Sequence, residues 1–255
     1  MKPRHDQHFL IDRNAVSKIV GAVDVRGRRV LEIGPGEGVL TCTLLEQGAH
    51  VIAVELDRRL FENLAVRFSA ELATGQLTLI HGNAVQCDLP PFDLVVANLP
   101  YSASSKITFR LLDIGFETAV LMYQKEFGQR MIALPGTPEC GRLSVMVQTY
   151  ARVKPILELS PNAFRPKPQV RSWVMKITPR DPPHPIKDRT LYADVVRALF
   201  SHRRKTVRKA LKASRTLLGD ERVDTLVQVL PADILQARPE ALSLEAFARI
   251  ANAVS

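Results

Sequence analysis

The first two thirds of the chain alternate short apolar runs with amphipathic stretches, a pattern typical of a parallel sheet with helices on both faces. The apolar runs predict strands at Arg29–Ile33, His50–Glu55, Leu77–His81, Phe92–Ala97 and Ala119–Tyr123. The stretches between them predict helices at Val39–Gln47, Arg58–Phe68 and Ser105–Leu112. In the second of these helices, Leu60, Leu64 and Phe68 recur four residues apart and so form one apolar face.

Two further apolar runs follow a predicted helix at Leu143–Tyr150. They predict strands at Ile156–Leu159 and Val170–Ile177, which would enlarge the sheet to seven strands. Residues 178–187 then contain four prolines, a density typical of a linker. Beyond the linker the pattern predicts helices at Leu191–Phe200, Arg203–Leu218, Arg222–Val229 and Leu244–Ala253. We therefore predict an α/β domain at residues 1–180 and a small all-helical domain at residues 188–255.

The net charge of +9 narrows the class of partner, because a moderately basic chain of 255 residues favours a polyanion. No apolar run approaches the ~18 residues of a membrane span, and the N-terminus lacks a signal-peptide pattern. We therefore expect a cytoplasmic protein without a membrane partner. Cys42, Cys87 and Cys140 lie far apart and form no pair with metal-ligand spacing, so no metal site is predicted.

A glycine-rich loop, Gly34-Pro35-Gly36-Glu37-Gly38, joins the first predicted strand to a helix, and glycine lets a backbone approach a ligand closely. A dinucleotide loop would need Gly at position 39, which is Val, and Glu37 would sit poorly beside a pyrophosphate. S-adenosylmethionine contains no phosphate, so it tolerates a Glu at this position and is the ligand that the loop favours. Glu55 ends the second strand, where a carboxylate can accept hydrogen bonds from both ribose hydroxyls. An unspecified nucleotide site and a simple tight turn stay open as alternatives.

The segment Asn98-Leu99-Pro100-Tyr101 follows the fourth predicted strand, at the edge where parallel sheets bind ligands. The N6 amine of adenine is a poor nucleophile because its lone pair is delocalised into the ring. Two acceptors, the Asn98 side-chain oxygen and the Leu99 carbonyl, would favour a tetrahedral nitrogen. Pro100 restricts Leu99 to extended geometry, and Tyr101 offers a face for base stacking. The alternative is a turn that closes a strand.

Two other segments contain candidate substrate contacts. Phe164 lies in a proline-rich loop, where it would either press on a target base opposite Tyr101 or fill the core. Residues 197–215 contain eight basic residues and no acidic one. From this segment we select as candidate RNA-binding residues Arg203, Arg204, Lys205, Arg208, Lys209 and Lys212.

Several of these cations lie four residues apart and would share one helix face. Like charges at that spacing repel, and a phosphate backbone would neutralise them. A solvated helix face is the alternative. Four more cations are candidates to extend this surface, namely Lys154, Arg165, Lys167 and Arg171.

Together these motifs resemble the rRNA adenine N6,N6-dimethyltransferase family over nearly the whole chain. The residues that carry the resemblance are Gln7–Leu10, Glu32–Gly36, Asn98–Tyr101, Gly141–Val145, Ala163–Pro168 and His202–Leu211. The stretch Leu121–Phe127 is most similar to archaeal members. The resemblance implies a Rossmann-like, seven-stranded class I methyltransferase sheet and S-adenosylmethionine as cofactor. It also implies dimethylation of N6 in two adjacent adenosines, in a hairpin near the 3′ end of small-subunit rRNA. The partner would be that rRNA or the pre-ribosomal small subunit, linking the chain to ribosome biogenesis.

The resemblance further assigns cofactor-binding residues. It implies that the cofactor contacts His8, Leu10, Gly34, Glu55, Asn83 and Asn98, with Gln7 nearby; Gly36 is added from the glycine loop. His8 stands where many members have Asn, and Asn83 stands where the family usually has Asp. Asn83 keeps an acceptor oxygen for the cofactor's adenine amine but lacks the charge, so we expect an effect on cofactor affinity. We also expect a monomer.

Three alternative functions stay open at this point. A sister group methylates one adenine in large-subunit rRNA, confers macrolide resistance and shares the fold and chemistry. Leu99 and the basic segment Arg203–Leu211 favour the small-subunit target. A DNA adenine methyltransferase would need a sequence-reading domain, which the sequence does not indicate. An RNA-binding assembly factor with secondary enzymatic activity predicts that Asn98→Ala leaves subunit maturation intact.

Overall fold

Contacts divide the chain into two compact units in the computed structural model, which describes residues 8–255. The first, here the sheet unit, contains residues 8–128 and Arg152–Pro179. The second, here the helical unit, contains Gln129–Ala151 and Arg180–Ser255. The contacts therefore group residues 129–151 with the helical unit, although they precede the last strands of the sheet along the chain. The predicted functional domains, 1–180 and 188–255, stay a prediction.

The sheet unit contains a large sheet and a small ribbon. The ribbon pairs β1 (Phe9–Leu10) antiparallel with β8 (Phe164–Arg165). The seven strands of the large sheet are β2 (Arg29–Ile33), β3 (His50–Glu55), β4 (Leu77–His81), β5 (Leu94–Asn98), β6 (Thr118–Gln124), β7 (Ala151–Leu159) and β9 (Ser172–Pro179). The prediction of a seven-stranded α/β sheet is therefore confirmed.

The order of the large sheet is β4-β3-β2-β5-β6-β9-β7. Strands β2 to β6 pair in parallel, and β9 pairs antiparallel with β6, with Gln124 opposite Ser172. The chain leaves β2 toward β3 and β4 and later returns to its other side at β5. That reversal opens a crevice beyond the carboxyl ends of β2 and β5, the usual ligand site of such sheets.

The helices of the sheet unit cover the apolar faces of its strands. They are α1 (Arg13–Val20), α2 (Val39–Glu46), α3 (Arg58–Arg67), α4 (Ser69–Ala73) and α5 (Ser104–Ile114), and α6 (Lys125–Met131) crosses the division between units. Helix α1 was not predicted, although its N-cap has the required chemistry. The Asp12 side chain accepts hydrogen bonds from the backbone N–H groups of Asn14 and Ala15.

The helical unit contains seven helices among its described residues, consistent with the expected all-helical region. They are α7 (Arg142–Tyr150), α8 (Arg189–Ser201), α9 (Val207–Ala213), α10 (Arg215–Leu218), α11 (Asp220–Val229), α12 (Ala232–Gln236) and α13 (Leu244–Asn252). Within residues 8–255, no helix has both the length and the apolar character needed to cross a bilayer.

The single predicted helix Arg203–Leu218 is wrong. Helix α9 begins only after the extended residue Thr206, and the N–H of Val207 donates to the Ala237 carbonyl at 2.9 Å. The helix then stops at Ser214, whose hydroxyl donates to the Ala198 carbonyl of α8 at 3.2 Å. Tertiary hydrogen bonds therefore divide a segment whose composition favours one continuous helix.

Candidate active site

A cavity of about 290 Å³ lies beyond the carboxyl ends of β2, β3 and β5. Its size is close to the lower end of the ~300–1,000 Å³ range of small-molecule sites. The predicted residues that line it are His8, Leu10, Gly34, Gly36, Glu55, Asn83, Asn98, Leu99, Pro100 and Tyr101. The fold thus brings the glycine loop and the segment after β5 to one site. Gln7 lies outside the described residues.

The glycine loop forms one side of the cavity through its backbone. Gly34 and Gly36 have φ angles of 69° and 61°, in the left-handed region that side chains disfavour. A Cβ atom on Gly36 would lie 2.7 Å from Cδ1 of Phe9, so no larger residue fits there without displacing that ring. Phe9 therefore requires glycine at position 36, whereas a Cβ on Gly34 would make only ordinary contacts; we call the Gly34–Gly36 loop, which lines the cavity, the cradle.

Glu55 is a buried carboxylate at the end of β3, with 4% of its surface exposed. Its Oε2 accepts from the N–H of Gly36 at 3.1 Å, and its Oε1 accepts from the N–H of Asp57 at 2.9 Å. Burial raises the pKa of Glu55, and these two N–H groups oppose that rise. Each oxygen keeps a further lone pair, so the carboxylate can accept from two hydroxyls of a ligand.

Glu32 is a functional candidate that the sequence analysis missed. It lines the cavity with 1% of its surface exposed, and its Oε2 accepts from the Thr41 hydroxyl at 2.7 Å. Its Oε1 is buried and has no hydrogen-bond partner among the described residues. Burial raises the pKa of Glu32 to about 8. A single acid inside an otherwise apolar strand was the available signal, because such a residue costs free energy unless a partner is supplied.

Asn83 lies at the cavity edge in a local turn that uses its side chain. Its Oδ1 accepts from the N–H of Val85 at 2.9 Å, the geometry of an Asx turn. Asp is usual at this position in the family that the sequence resembles, and its Oδ1 would accept the same hydrogen bond in this turn. The replacement therefore removes a charge at the edge of the cavity but not the acceptor on which the loop depends.

Asn98 ends β5, and its amide orientation is fixed by a single contact. Its Nδ2 donates to the His8 carbonyl at 2.8 Å. No other described residue hydrogen-bonds its Oδ1, which is therefore available as an acceptor at the cavity. The contact uses the backbone of His8, so the departure from Asn at that position does not affect it. The imidazole instead bonds the Pro166 carbonyl through Nδ1 at 2.8 Å.

Tyr101 lines the cavity with its ring and is anchored at its hydroxyl. Its hydroxyl hydrogen-bonds the Oγ of Ser172 at 2.9 Å, and Ser172 is fully buried at the start of β9. The His8 ring lies 5.5 Å from the Tyr101 ring, at 33° between planes. Ser172 is a second residue that the sequence analysis missed, because 71 residues separate it from Tyr101.

Glu158 on β7 fixes the chain on both sides of Ser172. Its Oε1 accepts from Arg171 at 2.8 Å and its Oε2 from the Trp173 indole at 3.1 Å. Lys125 donates to both oxygens. The Trp173, Lys125 and Arg171 donors lower the pKa of Glu158 to about 2, so the carboxylate stays charged at neutral pH. This cluster holds the strand that anchors Tyr101.

Phe164 does not reach the cavity. It is 1% exposed and belongs to the hydrophobic core of the sheet unit, where its strand pairs with β1 at Leu10. Because side chains alternate along β8, Arg165 faces outward while Phe164 faces inward. The alternative interpretation, that Phe164 fills the core, agrees with this position; contact with a target base from opposite Tyr101 does not.

The predicted RNA-binding residues of the helical unit are mostly exposed, but the Arg203 side chain already binds other groups of the protein. Its guanidinium pairs with Glu240 at 2.9 Å and donates to the Pro138 carbonyl. Among described residues, no acidic side chain forms an ion pair with the five other cations, Arg204, Lys205, Arg208, Lys209 and Lys212. Arg204 and Lys205 lie in the turn before α9, so the predicted shared helix face is limited to the later three.

No set of three or more His, Cys, Asp or Glu side chains in residues 8–255 is arranged to bind a metal ion. The sulfur atoms of Cys42, Cys87 and Cys140 are free thiols.

Comparison with known proteins identifies close relatives of the chain. Residues 1–252 match the family described as ribosomal RNA adenine dimethylase. The probable ribosomal RNA small subunit methyltransferase A of Methanospirillum hungatei is 59% identical over 255 residues, which cover all of both chains. Its counterpart in Halobacterium salinarum is 43% identical over 98% of this chain and 89% of the relative.

Solved structures agree with the fold. A dimethyladenosine transferase from Plasmodium falciparum superposes with a TM-score of 0.77 at 28% identity, over 95% of this chain and 96% of that one. The 23S rRNA methyltransferase ErmE superposes with a TM-score of 0.66 at 24% identity, over 96% and 99%. At this low identity, the similarity to ErmE is evidence for the fold alone.

Proposed function

The chain belongs to the ribosomal RNA adenine dimethylase family, and from that premise we propose that it dimethylates N6 of two adjacent adenosines in small-subunit rRNA. It is an S-adenosylmethionine-dependent rRNA adenine dimethyltransferase. One observation carries the local mechanism: the acceptor oxygen of Asn98 lines the same cavity as the Gly34–Gly36 cradle and the buried Glu55.

The cavity fits S-adenosylmethionine in three respects. At Gly34 and Gly36 the cavity is lined by backbone without a side chain, which suits a group lying close to the loop. Glu55 offers acceptors for ribose hydroxyls. A positively charged group beside buried Glu32 would favour its ionised form, whose Oε1 has no hydrogen-bond partner among the described residues. When bound, the cofactor supplies a methyl group on a positively charged sulfur.

Asn98 and Leu99 act on the attacking amine. With Nδ2 held by the His8 carbonyl, the Asn98 amide presents Oδ1 as an acceptor for one N6–H. The Leu99 carbonyl accepts the other, and Pro100, with φ −61° and ψ 128°, keeps this segment extended. Two acceptors localise the lone pair on N6 and hold it in place. Positioning and electrostatics then supply most of the rate, without a strong general base.

Tyr101 holds the base during this step. Stacking on an aromatic ring contributes about 1–3 kcal/mol per base in nucleic-acid complexes. The ring can act as a fixed surface because its hydroxyl is bound to Ser172 and its edge lies beside His8. Because the surface recognises a flat face rather than an edge, selection of adenine falls to the acceptors at Asn98 and Leu99.

The small-subunit target is supported by its relatives, which are named as small-subunit rRNA methyltransferases, and by the exposed cations of the helical unit. Those cations suit the phosphate backbone of a folded rRNA hairpin. The same proposal includes four further points. The target lies near the 3′ end of the rRNA, methylation is linked to ribosome biogenesis, and the protein is cytoplasmic and monomeric.

Mass spectrometry of rRNA tests the proposal. Small subunits that lack the modification and, in parallel, large-subunit rRNA are incubated with enzyme and isotope-labelled cofactor, and digested fragments are then sequenced by mass. We expect two adjacent adenosines, each carrying two labelled methyl groups. Label in large-subunit rRNA, or on a single adenine, would replace the proposal with the macrolide-resistance type. The Asn98→Ala protein provides the matched control without transfer.

A further inference from the structure

A second cavity in the sheet unit, of about 330 Å³, lies between α1, β7 and β9. We call it the lysine groove. Its apolar floor includes Ile156, Leu157 and Val174, and its three charged lining residues are Lys18, Lys154 and Lys176. The lysines come from three separate segments, and the sequence analysis considered only Lys154.

The lysines of the groove lack acidic partners. Among the described residues, none of the three forms an ion pair, and no acidic residue lines the groove. Lys18 and Lys154 are exposed, whereas the ammonium of Lys176 donates to the Ala22 carbonyl at 2.9 Å. Glu158, also on β7, is already engaged by three donors. The groove therefore combines an apolar floor with positive charge that the protein does not neutralise.

The groove lies on elements that also build the active site. Ser172, which anchors Tyr101, begins β9, and Val174 and Lys176 follow on the same face of that strand. At ~3.3 Å per residue, Lys176 lies about 13 Å along β9 from Ser172. Helix α1 follows β1 directly, and β1 lines the active-site cavity. One strand therefore contributes both the residue that anchors Tyr101 and two residues that line the groove.

We propose that the lysine groove binds the phosphate backbone of the rRNA strand next to the target adenosine, as a contact surface separate from the helical unit. This inference rests on the proposed function. Lysine ammonium groups pair with phosphates, and the apolar floor accepts the faces of sugars or bases. Addition of an acidic protein segment to the sheet as a further strand is disfavoured, because the edge strand β7 contains Pro155, which has no N–H to donate to a new strand.

The salt dependence of rRNA binding tests the inference. The double variant Lys18→Gln/Lys154→Gln is titrated with a labelled fragment of small-subunit rRNA at several salt concentrations. Each lost phosphate contact lowers the slope of log affinity against log salt by about 0.7–0.9, so we expect a reduction of about 1.5. The matched control is Arg29→Gln/Arg58→Gln, which removes two charges already paired with Asp93 and Glu62. It should keep the wild-type slope.

Two results would overturn the inference. One is a slope for the lysine variant equal to that of the arginine control. The other is a wild-type slope on naked rRNA together with weaker binding to intact small subunits, which would assign the groove to an acidic protein. Asn98→Ala separates this inference from the proposed function: it should slow methylation about 100- to 1,000-fold yet keep the wild-type slope. A protein that binds with the expected slopes but never methylates rRNA would refute the proposed function alone.

Discussion

The two sides of the active-site cavity differ in how their polar groups are held. The cofactor side consists of Glu32, the Gly34–Gly36 loop and Glu55. Glu32 accepts from the nearby Thr41 hydroxyl, and Glu55 accepts from the backbone of Gly36 and Asp57, so the partners are close in sequence or on the adjoining loop. The target side consists of Asn98 to Tyr101, in which the Asn98 and Tyr101 side chains hydrogen-bond residues 90 and 71 positions away. Burial of acidic side chains on the cofactor side costs desolvation free energy. The target side instead depends on hydrogen bonds to residues that are distant in the sequence.

The difference has a functional consequence. Buried carboxylates that lack full solvation are best compensated when a ligand supplies donors, so the cofactor side should control affinity. The target side positions a nucleophile, and small displacements there change the rate more than the binding. Substitutions should therefore separate into effects on the dissociation constant of S-adenosylmethionine and effects on methyl transfer.

Asn98→Ala should give the largest effect, on the target side. It removes an acceptor aimed at the reacting amine, and loss of one such positioned group typically slows a reaction about 100- to 1,000-fold. Single-turnover methylation of rRNA measures the rate, and calorimetry measures cofactor affinity. If the loss of S-adenosylmethionine affinity were large enough to explain the whole decrease in rate, Asn98 would have to be assigned to the cofactor side.

Glu55→Ala should give the next largest effect, on the cofactor side. Hydrogen bonds to a charged group contribute about 1.5–3 kcal/mol, so we expect S-adenosylmethionine to bind about 10- to 100-fold more weakly. Glu55→Gln keeps one acceptor oxygen and should lose less. The transfer rate at saturating cofactor should change little in either variant. Unchanged calorimetric affinity in Glu55→Ala would contradict this assignment.

Glu32→Gln should change how stability depends on pH. In the folded protein the pKa of Glu32 is about 8, raised above its ordinary value by burial, so folding retains a proton that the unfolded chain releases. The free energy of unfolding should therefore fall between about pH 5 and pH 8, by up to about 1.4 kcal/mol per pH unit from this group. Urea unfolding at several pH values should show a shallower decrease in the Gln variant. Identical slopes would show that Glu32 does not titrate as described.

Ser172→Ala should give the smallest effect, on the target side. Losing the hydroxyl that holds Tyr101 costs about 1 kcal/mol, or about fivefold in turnover, with little change in cofactor affinity. Tyr101→Phe removes the same hydrogen bond, so the double variant should be no slower than either single one. Ser172→Thr keeps a hydroxyl and should restore the rate.

A matched control exists in the helical unit for this last comparison. Thr149 and Tyr192 form the same kind of hydroxyl pair at 2.8 Å, with Tyr192 fully buried. Thr149→Val should lower stability but leave the transfer rate per folded molecule unchanged. An equal loss of rate in Thr149→Val and Ser172→Ala would show that the effect reflects stability rather than the position of Tyr101.

The sequence by itself determined the sheet and most of the site. The strands β2, β3 and β4 have the predicted bounds, because their apolar runs end at turn-forming residues. The glycine loop and the segment after β5 were also predicted, because strand ends of a parallel sheet meet at one edge. These features are local, so composition and spacing identify them.

Only the tertiary structure decided the features that depend on distant partners. It buried Phe164 through the pairing of β8 with β1. It divided the predicted helix Arg203–Leu218 through hydrogen bonds that Val207 and Ser214 donate to the carbonyls of Ala237 and Ala198. It also paired Ser172 with Tyr101 and left Glu32 with an unpartnered oxygen at the cavity. The lysine groove likewise joins three segments that no local pattern links. The physical reason is common to all of them: burial and hydrogen-bond satisfaction belong to the packed molecule, whereas periodicity belongs to the chain.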